Sequence, residues 1–497
     1  MEALLPIRSS RIVRRFMQTA GVAAAVALLP SAPRAMSGIP IPVPFYSRPD
    51  SEFQIANTYY VAANEPGASN TNNGRYPTYR GGKNGPFRDL NNAYIRALLQ
   101  ASDGVRMVIR QGVYQLWEMN EGGVDLPGGG SGLTLVGHGD EWHPVILTGY
   151  PGETAVLDGG ERLQWDFLRR VATNQATYNI HIRQVVTTAG RYTIVQNLTI
   201  RDGFRHNLHA TGEYTIFRHN MLRGAYEDSI KIVGGADYGL IQLNDIAGFA
   251  SQAVDHFGGN QWIIDGNDIH DPGPDPVTND IEANAIGTKG GVTGVLVTNN
   301  RIHDFNTNFV PAIVLGGTGN LSVFKRDASG QLLPSASDEL VTGNVIYNYR
   351  GPATSVLSCR NCAIENNTVA TSLALSMVGL PDDQYRSVWV AGLPASSNVS
   401  IRKNTVAGTN GDPNGVCRSR TTIAVGVTCY VTYIPSGREV SHGFVSDGNT
   451  YYSDTVPRFV YPIGGLVQIR TWSQFQADFR TDYTSAVKPL SSFRLTP

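Results

Sequence analysis

Apolar and polar positions alternate in short runs along most of this chain. From "VRMVIRQGVYQL" (105–116) onward, brief β-branched segments are broken by Gly, Asn and Asp with almost no helical periodicity, the pattern of many short strands. Two stretches break that rule. "PFRDLNNAYIRALLQA" (86–101), which follows the strand-like "TYYVAA" and a polar loop, repeats its apolar residues at helical spacing and predicts one N-terminal capping helix. Near the other end, Trp472, Phe475 and Phe479 have the same spacing and predict a short C-terminal cap over the last strands.

The strand segments repeat. An asparagine recurs in "QNLTI", "HNMLR", "LNDIA", "GNDIH", "NNRIH", "GNVIY", "NNTVA", "KNTVA" and "GNTYY", at Asn197, Asn220, Asn244, Asn267, Asn300, Asn344, Asn367, Asn404 and Asn449. The first intervals are 23, 24 and 23 residues, and the later ones of 33, 44, 23, 37 and 45 fit the same coil with loops inserted. A coil of roughly 20–25 residues built from strands without helices predicts an all-β solenoid, the parallel β-helix. The asparagines are expected to be structural, since Asn tolerates a left-handed turn and stacked amides can bond coil to coil. His270 and His303, at one common offset from their asparagines, are expected to stack as turn residues in the same way. The implied organisation is an export signal at 1–37, a proline-rich linker at 38–57, the β-helix at 58–470 and the cap at 471–497.

A second alignment locates an outer face. "LHATG" (208–212), "IKIVG" (230–234), "VDHFG" (254–258), "IGTKG" (286–290) and "IVLGG" (313–317) each start with an inward apolar residue, so the second and fourth residues point outward. One outward column is then His209, Lys231, Asp255, Gly287 and Val314, and its neighbour is Thr211, Val233, Phe257, Lys289 and Gly316. Coils stack about 4.8 Å apart, so Lys231, Asp255 and Lys289 are expected within roughly 10 Å of one another. Entering loops add Glu227, Asp228, Asp280 and Glu282, a set of acids suited to a hard cation. His209 and Phe257 are candidates for contact with a ligand, while His256 is expected to face the core.

Composition narrows the partners. The 497 residues carry 54 glycines, 27 prolines and a formal charge of −1. Residues 8, 11, 14 and 15 are arginines, followed by the apolar run Ala20–Leu29 and the small-residue stretch "SAPRAMSG"; this predicts an export signal, and Arg14-Arg15 before "FMQ" resembles a twin-arginine signal. The expected location is the periplasm or the exterior. Removing residues 1–35 subtracts five arginines and one glutamate, taking the charge from −1 to −5, which argues against a broad nucleic-acid surface. No run is long enough for a membrane helix, and a monomer is expected. The four cysteines lack zinc-ribbon spacing and predict two local disulfides, Cys359–Cys362 and Cys417–Cys429.

With the phrases "YYVAANEPG…GPFRDLNNA" and "LTGYPGETAVLDGG" (147–160), these coils resemble the extracellular right-handed β-helix polysaccharide lyases, the group containing pectate lyases, alginate lyases and chondroitinase B. The narrower phrase "EANAIGTKGG" is similar to the alginate lyase and chondroitinase B pattern; that resemblance implies Lys289 as base and Glu282 as a calcium ligand. "EDSIKI" (227–232) is similar instead to the pectate lyase arrangement, implying Lys231 as base with Glu227, Asp228 and Asp255 near Ca²⁺. The function so implied is β-elimination of an acidic, uronate-containing polysaccharide. Two alternatives stay open: a glycoside hydrolase or uronate epimerase, using carboxylates such as Asp255, and a non-catalytic polysaccharide-binding solenoid.

Overall fold

The computed structural model describes residues 43–90, 93–101, 103–116, 130–160, 182–274, 283–305, 310–317, 319–373, 392–394, 396–408, 432–433, 443–452, 458–463, 466–479 and 483–495. Three long parallel sheets make up the solenoid, the first and second running nearly its whole length and the third from Gly130–Gly137 to Thr354–Leu357. One coil shows how they arise: Glu213–Arg218 lies on the first sheet, Met221–Ala225 on the second and Asp228–Ile232 on the third, after which Gly239–Gln242 returns to the first sheet beside Glu213–Arg218. The chain is a right-handed parallel β-helix, as the repeat predicts. Inside it, Leu208, Ile230, Val254, Ile286 and Ile313 stack in register on the third sheet, all fully buried. Inward residues of successive coils therefore build one continuous apolar core.

The strand Ile182–Gln196 spans a corner, pairing with the third sheet through its first half and the first sheet through its second. It turns at Gly190, whose φ is 72°, where a Cβ would lie 2.1 Å from the carbonyl oxygen of Gly137. No side chain fits there.

At the corner between the first and second sheets runs the asparagine ladder. Asn220, Asn244, Asn267, Asn300, Asn344, Asn367 and Asn404 each donate a backbone N–H and a side-chain N–H to the Oδ1 of the next asparagine, ending at Asn449. Two details differ from the expectation. The left-handed residue is the one before the ladder asparagine: His219, Leu243, Gly266, Asn299, Gly343, Asn366, Lys403 and Gly448 have φ between 53° and 70°. Asn197 belongs to this left-handed row, with φ 56°, because Leu198 is the residue in register with Asn220 and donates its N–H to that amide.

The ends are closed as the helical spacing predicts. Helix Ala93–Ala101 buries Ile95 and Leu99, and helix Trp472–Phe479 buries Phe475 in the same core. The chain then returns to add Ala486–Lys488 as the last strand of the second sheet. The segment taken as a linker is not free: from residue 43 on, Phe45, Tyr46 and Phe53 pack against Ile146, Ile194, Ile216, Leu240 and Ile263 on the outside of the first sheet. Asp50 pins it by accepting from Arg218 at 2.6 Å. Its aromatic residues, hidden among prolines in the sequence, have enough apolar area to hold it there.

Cys359 and Cys362 are joined by a disulfide, fully buried, while Cys417 and Cys429 lie outside the described residues. No helix among the described residues is long and apolar enough to cross a membrane.

Candidate functional site

On the third sheet the strands His206–Ala210, Asp228–Ile232, Gln252–Phe257 and Asn284–Lys289 lie side by side in parallel register. His209, Lys231, Asp255 and Gly287 form one outward column, and Phe257 stands beside Lys289 in the next. The alternation of strand side chains sets this placement. His256, one residue from Asp255, is fully buried on the opposite side against Trp262, so the two do not form a pair.

Asp255 holds the centre. Its Oδ2 accepts from the Lys231 ammonium, and its Oδ1 lies 3.0 Å from Lys289 Nζ. Lys289 reaches it by leaning back across a column, since Asp255 is in register with Gly287 and not with Lys289. The Asp255 side chain is only 5% exposed although it faces outward, because the two lysine stems cover it; those side chains are 21% and 19% exposed. Lys231 also lies 3.4 Å from Asp228 Oδ2. One coil below, Arg205 donates to Glu227 Oε2 through Nε at 2.8 Å, and its Nη2 lies 2.6 Å from the same oxygen. His206 Nδ1 stands 3.7 Å from Asp228 Oδ2, is buried and makes no hydrogen bond.

This crowding separates the charge states of the groups. Burial followed by the neighbouring Asp255 charge pushes Asp228 up to about 8, despite the opposing lysines. Burial would also raise Asp255, yet Lys289 and Lys231 outweigh it and hold the carboxyl below the usual range. Lys231 is raised, because Asp255 and Asp228 overcome the burial that alone would lower it. Burial and then the Lys231 charge bring His206 down to about 3 and His209 down to about 4, so both imidazoles are neutral at neutral pH. The face therefore combines fixed cations with uncharged imidazole.

Phe257 rests edge-on against Phe324 with ring centroids 5.6 Å apart, so the loop carrying Phe324 makes a shoulder beside Lys289. Asp280 and Glu282 lie outside the described residues. Of the acids expected to bind calcium, Glu227, Asp228 and Asp255 do come together, but each is already engaged by a cation. Calcium takes six to eight oxygen ligands. Here His206, Glu227 and Asp228 are the cluster of ligand atoms within 4.8 Å of one another, and it offers one imidazole and two acids, of which Glu227 is held by Arg205. As these donors stand, they do not fit that ion.

Arg205 and His206 were missed in the sequence. The coil interval of 22 residues that aligns His209 with Lys231 also aligns Arg205 with Glu227 and His206 with Asp228, and that offset is the signal that could have found them.

No protein-family model matches the chain, and no curated protein matches it. Among solved structures, the chain is similar to the pectate lyase Pel9A, at 13% identity over 71% of this chain and 76% of that chain, with a TM-score of 0.42. It is similar also to an alginate lyase from Paenibacillus sp. str. FPU-7, at 14% identity over 74% and 94% of the two chains, with a TM-score of 0.36. A third is the catalytic unit of a thermostable GH87 alpha-1,3-glucanase from Streptomyces thermodiastaticus strain HF3-3, at 15% identity over 84% and 71%, with a TM-score of 0.42. Likeness at this level does not choose among chemistries.

Proposed function

We propose that the protein is an exported polysaccharide lyase that cleaves an acidic, uronate-containing chain by β-elimination on the outer face of the third sheet. The observation that carries this reading is the pair of lysines, Lys231 and Lys289, sharing Asp255 on adjacent coils beside the neutral His209. Removing the proton at C5 of a uronate puts negative charge onto its carboxylate, and a fixed ammonium stabilises that charge. Lys231 suits this role because its two carboxylate neighbours hold it charged. Lys289 is assigned as the base: it first gives a proton to water, its neutral Nζ then takes the C5 proton, the C–H electrons form the C4–C5 double bond, and the C4–O bond breaks as the leaving oxygen takes up a proton from water. Asp255 positions both lysines rather than touching the sugar. His209 and Phe257 are assigned to substrate contact on either side.

A glycoside hydrolase is the second reading, favoured by the opposite shifts of Asp228 and Asp255, the pattern of an acid paired with a base. Both side chains are 5% exposed, which leaves a sugar little access to them. Incubating the protein with pectate, alginate, glycosaminoglycan and polyglucuronate, while following unsaturated-uronate absorbance and reducing ends, separates the readings. Both signals rising is the expected outcome, with Lys289→Ala lowering the rate ~10²–10⁴-fold. Reducing ends alone mean hydrolysis, an altered uronate stereochemistry without cleavage means epimerisation, and no change on any substrate favours a binding solenoid.

A further inference from the structure

We infer that this site handles its acidic ligand without a divalent cation, because Lys231 and Lys289 occupy the carboxylates that would otherwise bind one. The inference rests on the lyase reading for the identity of the ligand, but its geometry stands apart from it. Both oxygens of Asp255 face an ammonium: Lys231 donates to Oδ2, and Lys289 Nζ stands 3.0 Å from Oδ1 as an ion pair without a hydrogen bond. Glu227 is held by two nitrogens of Arg205. The remaining acid of this cluster among the described residues, Asp228, is buried and lies beside Lys231. With Asp228 kept protonated by its burial and by the neighbouring Asp255 charge, Arg205, Lys231 and Lys289 outnumber Glu227 and Asp255, so the cluster is already positive before any metal arrives.

A dication entering this cluster would meet three fixed cations and would have to expel a lysine from Asp255. A substrate carboxylate faces the opposite situation. Each ammonium has three N–H donors, Lys289 makes its ion pair with Asp255 alone among the described residues, and both lysine side chains are partly exposed. Both lysines therefore exclude the metal, and Lys231 supplies the positive charge that the chemistry requires. Metal and lysine compete for one set of oxygens.

The test is calorimetric titration of the chelator-treated protein with calcium chloride, alongside Lys231→Met and Lys289→Met, which keep an apolar stem and remove the charge. The native chain is expected to show no saturable binding up to about 1 mM, the weak end of protein calcium sites, and the folded methionine variants to gain at least about tenfold in affinity. Circular dichroism identifies a variant that has unfolded, in which case the other carries the result. Saturable submillimolar calcium binding by the native protein overturns the inference, and so does a folded variant that gains no affinity. The substrate panel, run in calcium and in chelator, distinguishes the two proposals. Equal unsaturated product in both supports the inference, whereas product only with calcium overturns it and leaves the lyase reading intact. No product in either, with no calcium binding, rejects the lyase reading alone.

Discussion

The second and third sheets are built from the same coils, yet they stack their charged residues by opposite rules. On the second sheet like lies on like: the rings of His270 and His303 are parallel, 5.2 Å apart, and Tyr347 continues the stack at 4.8 Å. Each imidazole there is clamped between two carboxylates, His270 by Asp245 at 2.9 Å and Asp271 at 2.8 Å, His303 by Asp268 at 2.8 Å and Asp304 at 2.6 Å. The third sheet stacks histidine, lysine, aspartate and glycine in one column. A repeating scaffold satisfies its polar groups most simply by repetition, because each residue meets the partner that its neighbour met. Where the repetition is broken and the charges are still held together, something other than stability accounts for the choice.

Replacing Asp255 tests this contrast most severely. Asp255→Ala would leave Lys289 without its partner and Lys231 with Asp228 only, two partly buried like charges, with an expected loss of about 3–5 kcal/mol in denaturant unfolding and loss of eliminative product. A variant with near-native stability would show that the cluster is an exposed, weakly coupled one. The next largest effect is expected in the repetitive part. Asn344→Ala removes the amide that accepts two N–H groups of Asn300 at 2.9 Å and donates to Val297, and should cost about 1–3 kcal/mol for each buried group left unpaired, without changing the chemistry of the third sheet. Melting curves alongside activity would separate the two roles.

The clamped histidines give a smaller effect that depends on pH. Burial lowers the affinity of His270 for its proton, but the hydrogen bonds to Asp271 and Asp245 outweigh it and raise the group above its ordinary value. A raised histidine contributes stability that is fully present below about pH 6.5 and is lost as pH rises through the folded value. Stability of the native chain should therefore fall more steeply above that point than in His270→Gln, and the His270 ring resonances should titrate above about pH 6.5 by NMR. Titration below it would mean that the clamp carries no charge. Least of all, Leu243→Asn should stabilise by up to about 1 kcal/mol, because leucine holds a left-handed φ of 53° at a corner where most other coils place Gly or Asn. A thermal melt is sufficient to measure it.

Much of the scaffold was legible in the amino-acid order because a coil repeats its chemistry at nearly constant spacing. The ladder asparagines mark each coil from Asn220 to Asn449, and strand alternation put Lys231 and Asp255 in one outward column. The histidine stack was legible for the same reason, through a shared offset from Asn267 and Asn300. Which residue of the turn takes the left-handed conformation was not, since His219 and Leu243 carry no conformational signature of their own. Nor was the packed arm around Phe45 and Phe53, whose partners lie on five separate strands of the first sheet.

By itself, the sequence determined the period, the strand-built coil and the residues that share the outer face, because these depend on local alternation and on stacking between equivalent positions. Only the tertiary structure decided which charges meet. Lysine and arginine reach several ångströms beyond their own column on flexible stems, so register alone left Lys289 facing Phe257's row, while desolvation and the search for a counter-charge brought it back to Asp255.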